Sequence, residues 1–87
     1  MATVHVPAPM RGLTGGKTEA RVSGATLGDV VEALEAHYPG LKSRLVEGDR
    51  IRPGLAVFVD GVQAPFRLSQ RLSENAEIYF APAIAGG

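Results

Sequence analysis

Residues 26–40 read Thr-Leu-Gly-Asp-Val-Val-Glu-Ala-Leu-Glu-Ala-His-Tyr-Pro-Gly, and the fold turns on this stretch. Leu27, Val30, Val31, Leu34 and Tyr38 fall at i, i+3, i+4, i+7 and i+11, the apolar stripe of an amphipathic helix, while Asp29, Glu32 and Ala36 face away. Thr26 is placed to cap the first turn. Asp29 follows three residues later in an approximate capping box, where an acid suits the positive end of the helix dipole. Pro39-Gly40 stops the helix. Leu41 and Leu45, four apart, predict one further short helical turn over the edge of the core.

On either side of this helix the apolar residues alternate instead. Thr3–Val6 puts Val4 and Val6 on one face, and Pro7 and Pro9 end the run. Residues 8–16 read as a loop closing on Gly15-Gly16, which supply positive φ angles. Lys17–Val22 alternates again, with Lys17, Glu19 and Arg21 outward. After a polar loop over 47–54, Leu55–Gly61 is a third strand, with Leu55, Val57 and Val59 on one face and Ala56, Phe58 and Asp60 on the other. Asp60-Gly61 is a turn signal. Val62–Phe66 pairs back briefly until Pro65 limits it, and 67–75 is polar loop. Ala76–Ala81 is the last strand, Ile78 and Phe80 inward and Glu77, Tyr79 and Ala81 outward, and Pro82 ends it.

One amphipathic helix covers one face of one sheet. The order of elements is therefore that of an α+β, ubiquitin-like β-grasp: a mixed sheet of four or five strands, covered on one face by a single main helix. Its first and last strands lie parallel at the centre. At 87 residues the chain is one domain without internal repeats, with the grasp over 1–82 and a flexible Gly-Gly tail over 83–87.

Composition removes several function classes. Nine basic and nine acidic residues cancel, so no positive field draws nucleic acid. There is no membrane-length apolar run and no leader-like start at Met1-Ala2-Thr3-Val4-His5, so the expected location is the cytoplasm. The chain has no Cys, which leaves neither disulfide, thiolate metal ligand nor persulfide. His5 and His37 are far apart and read as structural or solvated. Ser23, Ser43, Ser69 and Ser73 sit in no nucleophile elbow, and Gly15-Gly16-Lys17-Thr18 is no phosphate loop, because Arg11 stands where the first glycine would be and a strand, not a helix, follows. No catalytic residue, metal set or bound cofactor is expected.

The chemistry-bearing feature is the end of the chain. Ala83-Ile84-Ala85-Gly86-Gly87 follows the proline and reaches about 15–20 Å at ~3.3–3.6 Å per residue. Two terminal glycines pass a narrow channel and leave the carboxylate open to in-line chemistry in another protein's active site.

Pro82-Ala83-Ile84-Ala85-Gly86-Gly87 after an aromatic strand, in a one-helix chain of this length, resembles the MoaD/ThiS family of ubiquitin-like sulfur carriers. Thr14-Gly15-Gly16 in a long first loop, Thr26-Leu27-Gly28 leading the helix, and Tyr38-Pro39-Gly40-Leu41 with Arg44-Leu45 are most similar to the CysO-type carriers of cysteine biosynthesis. The resemblance implies that the protein is a cosubstrate and not an enzyme. Gly87 would be adenylated with ATP by an E1-like (MoeB/ThiF-type) activating enzyme, and sulfur would then displace AMP to leave a thiocarboxylate. That group would attack an activated serine derivative on a PLP-dependent cysteine synthase. An S-to-N acyl shift would join cysteine to Gly87, and a metal-dependent peptidase would release it.

Residues 83–86 would lie in the partner's active site, with Phe58, Tyr79 and Pro82 on the partner-binding surface. Phe58 and Tyr79 point away from the helix, and aromatics anchor interfaces. Three alternatives stay open at this stage: the small subunit of molybdopterin synthase seated in its large subunit, a ubiquitin-like modifier of lysines, and a passive interaction domain. Ala81, where molybdopterin carriers tend to have an aromatic, speaks against the first.

Overall fold

The computed structural model describes residues 1–63 and 66–82. Helix α1 (Leu27–His37) starts at an extended Thr26 whose Oγ1 accepts from the Asp29 backbone N–H at 3.1 Å. The two preceding free N–H groups of the first turn are also satisfied: Leu27 donates to the Gln70 carbonyl at 2.9 Å and Gly28 to the Leu68 carbonyl at 2.7 Å. The stretch 67–72 therefore closes the helix end. Leu27, Val30 and Leu34 have no exposed surface, each worth roughly 1.5–3 kcal/mol of burial.

After Tyr38, Gly40 takes a left-handed conformation (φ 99°) and leads α2 (Leu41–Leu45). Gly40 has no side chain with which to cap α2, and Glu35 takes over that task. Its carboxylate accepts from the Lys42 N–H at 2.9 Å and from the Gly40 N–H at 3.1 Å. These bonds, the one from Lys42 first, hold the Glu35 pKa below its ordinary value.

The main sheet is built from β1 (Ala2–His5), β2 (Glu19–Val22), β5 (Leu55–Val59), β6 (Val62–Gln63) and β7 (Glu77–Pro82), in the order β2-β1-β7-β5-β6. A separate hairpin joins β3 (Val46–Glu47) to β4 (Arg50–Ile51). The first and last strands pair in parallel, Val4 opposite Ile78, and the other ladders are antiparallel. Val4, Ala20, Val22, Val57, Ile78 and Phe80 point to the helix and join its stripe in one core. The β-grasp reading holds, with five strands in the sheet.

Three local expectations are corrected. Residues 8–14 form a 3₁₀ helix inside what reads as loop, because Met10 and Thr14 are buried. The Thr14 hydroxyl lies 3.1 Å from the Arg11 carbonyl and 2.9 Å from that of Lys17, donating to one at a time. Gly15 and Gly16 then turn the chain at φ 66° and 88°. The loop at 47–54 contains β4, turned at Gly48 with φ 66°. Pro82 does not stop β7 but is its last paired residue, opposite Leu55. The β1 ladder has already ended at His5–Tyr79, so fewer main-chain bonds are asked of that position. Pro65 and the tail 83–87 lie outside the described residues.

Candidate functional site

The face of the sheet away from α1 carries the sequence-predicted aromatics. Register aligns Glu19, His5, Tyr79, Phe58 and Gln63 in one row across all five strands. Phe58 and Tyr79 are direct cross-strand neighbours at its centre. Tyr79 is 45% exposed, the largest aromatic surface of the face, and Phe58 is half-buried beside it. Toward the C-terminal end of β7, Ala56 faces Ala81. Pro82, one residue further along β7, is exposed.

Tyr79 is held in place from its other side. The His5 ring stacks on it with centroids 3.8 Å apart and planes within 2°. His5 Nε2 lies 2.9 Å from Glu77 Oε1, and Nδ1 lies 3.7 Å from Glu19 Oε2. An aromatic fixed in this way loses little rotamer freedom when a partner covers it, which is what an interface anchor requires. The sequence reading of His5 as structural or solvated does not specify this stacking on Tyr79. The signal was the His5–Tyr79 register of the parallel pair, which alternation alone does not provide.

The root of β7 is equally well tied. Asp60 (φ 50°) and Gly61 (φ 84°) form the predicted turn. Asp60 Oδ1 accepts from the Glu77 N–H at 2.9 Å, and Oδ2 accepts from the Ser73 hydroxyl at 3.1 Å. Among the described residues, no three His, Asp or Glu side chains gather as a metal site would need. His37 is exposed at the far end of α1. The structure brings Phe58 and Tyr79 together, while Pro82, paired with Leu55 at the strand end, follows the alternation of Ile78 and Phe80 and stands on the other side of the sheet. Ala83, Ile84, Ala85, Gly86 and Gly87 lie outside the described residues.

The aromatic row is centred on the strand that leads to the chain end, and the ThiS family model matches residues 4–87, through the final glycine. The chain belongs to the ThiS family. It is 34% identical to the sulfur carrier protein CysO of Mycobacterium tuberculosis, over 98% of this chain and 97% of the relative. A chain in the crystal structure of the Amycolatopsis orientalis BexX/CysO complex superposes with a TM-score of 0.90 at 28% identity, covering 100% of both. Small archaeal modifier protein 3 of Haloferax volcanii is also similar, 34% identical over 72% of this chain and 71% of its own. Among the described residues no helix is long and apolar enough to cross a membrane.

Proposed function

We propose that this protein is a CysO-type sulfur carrier, feeding cysteine biosynthesis through a thiocarboxylate on Gly87. The observation that carries the reading is the family match, which runs to the terminal Gly-Gly in a chain otherwise similar along its length to a sulfur carrier. Residues 1–82 serve as the scaffold and 83–87 as the arm. One oxygen of the Gly87 carboxylate attacks the α-phosphorus of ATP on an E1-like activating enzyme, and pyrophosphate leaves. A sulfur nucleophile then attacks the acyl carbon of the adenylate. AMP departs with the bridging oxygen, and the thiocarboxylate remains. The chain has no Cys, so the terminal carbonyl is where it can hold a nucleophilic sulfur.

The acceptor is an activated serine derivative on a PLP-dependent synthase, followed by peptidase release of cysteine; ATP and PLP chemistry reside on those partners in the cytoplasm. Phe58 and Tyr79 dock the partner while Pro82 directs residues 83–86 into its active site. The test is intact mass after incubation with ATP, an activating enzyme of the MoeB type and sulfide, with alkylation of any thioacid. An oxygen-to-sulfur mass difference that disappears when Gly87 is deleted is the expected result. An unchanged mass with several such enzymes would remove the carrier reading.

Similarity to a small archaeal modifier protein favours a second reading, in which activated Gly87 acylates lysines. Isopeptide adducts of this chain on lysines of other proteins, lost with Gly87, would distinguish it.

A further inference from the structure

Beside the docking face lies a groove of about 960 Å³, bounded by residues 49–53 of the β3–β4 hairpin, residues 55–57 of β5 and residues 66–69. Its floor is apolar: Ile51, Leu55, Phe66 and Leu68 are half-buried and pack on the core. Its rim is basic. Arg50, Arg52 and Arg67 line it and are exposed, and Asp49 is the one acid among its lining residues. In a chain with nine residues of each sign, three cations against one anion is a local excess.

The three guanidinium groups differ in what holds them. Arg52 Nη1 donates to the Ser43 carbonyl at 3.3 Å, and its Nη2 lies 3.7 Å from Glu47 Oε1. Arg50 and Arg67 form no ion pair with the described residues. Two permanent charges therefore stand over an apolar floor with their forked donors unused, and such donors match a carboxylate bidentately.

The position of the groove says when it is met. Leu55, in its floor, is the residue paired with Pro82 at the end of β7. A protein that draws residues 83–87 into its active site approaches this end of the sheet. On the carrier reading given above, on which this inference rests, we propose that the groove seats an acidic extended segment of the partner protein. Its carboxylates meet Arg50 and Arg67, and an apolar side chain between them lies on Ile51, Leu55, Phe66 and Leu68. The apolar floor favours a polypeptide over a free phosphate or a sugar-phosphate backbone, neither of which would use it.

The test titrates the isotope-labelled full chain with an amidated Glu-Leu-Glu-Leu-Glu peptide and follows amide shifts. Shifts should concentrate at residues 50–57 and 66–69 and shrink as salt rises toward half-molar. Binding by Arg50→Glu/Arg67→Glu should weaken about tenfold or more, while Arg50→Lys/Arg67→Lys, which keeps the charges and loses the forked donors, should weaken it by a smaller factor, and both variants melt with the native chain. Removal of Gly86-Gly87 should leave the titration unchanged while stopping thiocarboxylate formation, so the two readings fail separately. No shifts at millimolar peptide, or shifts mapped to Phe58 and Tyr79 instead, would overturn the proposal. So would inorganic phosphate reproducing the same shifts at equal concentration, which would make the groove an anion site.

Discussion

Replacing Gly24 by alanine tests how tightly the N-terminus of α1 is locked. A Cβ built at Gly24 would lie 2.8 Å from the Val30 N, 2.9 Å from Val30 Cγ2 and 3.1 Å from the Asp29 carbonyl carbon. Two of these atoms are helix backbone and cannot rotate aside. Relief requires the first turn to move, and that turn is pinned by the Leu27–Gln70, Gly28–Leu68 and Thr26–Asp29 hydrogen bonds. Loosening two of them costs about 1–3 kcal/mol at roughly 0.5–1.5 each. Restricting the unfolded chain returns about 0.4–1 kcal/mol. The net expectation is a loss of about 1–2 kcal/mol, or a fall in Tm of roughly 4–16 °C for a domain of this size. Circular dichroism melting and urea unfolding read it out, with Gly12→Ala as the control, since nothing stands within 4 Å of a Cβ there. A Gly24→Ala chain that melts with or above the native one would refute the locked-terminus account.

Three further outcomes are expected. Deleting Gly87 should abolish thiocarboxylate formation and leave Tm unchanged; unfolding on that deletion would refute the division between scaffold and arm. Phe58→Asp should raise the KM for carrier in the activation reaction about tenfold or more by placing a charge in an apolar contact, and unaltered kinetics would take Phe58 out of the interface. The Glu35 pKa is lowered in the folded chain, so its contribution is present above the ordinary value of 4.5 and fades as pH falls through the lowered one. Melting curves of the native chain and Glu35→Gln should therefore converge toward acid pH, and parallel curves would show that the Lys42 and Gly40 bonds contribute nothing.

Elements with several turns or several alternations were legible because periodicity accumulates over them. Helix α1 and the outward placing of Phe58 and Tyr79 follow from spacing, the Thr26 cap from residue type, and the parallel central pair from the order of elements around one helix. Short or singular features were not. Strands β3 and β4 have two residues each, too few to alternate, although Gly48-Asp49 between them is a hairpin signal in retrospect. The 3₁₀ helix depends on one buried threonine whose hydroxyl lies within reach of two carbonyls and donates to one at a time, which no periodicity announces. The contribution of His5 depends on strand register. Arg50, Arg52 and Arg67 became a single feature only when the chain folded, since the fold brings the loop after β6 against the hairpin that precedes β5.

The parallel pairing of β1 with β7 also has a mechanical side. Strand β7 is the middle strand of the sheet, flanked by β1 and β5 on its two sides. Tension applied at Pro82 by an enzyme holding the chain beyond it acts along β7. It must slide past both ladders at once, and does not peel one edge bond by bond. A carrier that is repeatedly gripped by its C-terminal end is thus loaded in shear, and the work of seating and releasing that end stays out of the fold.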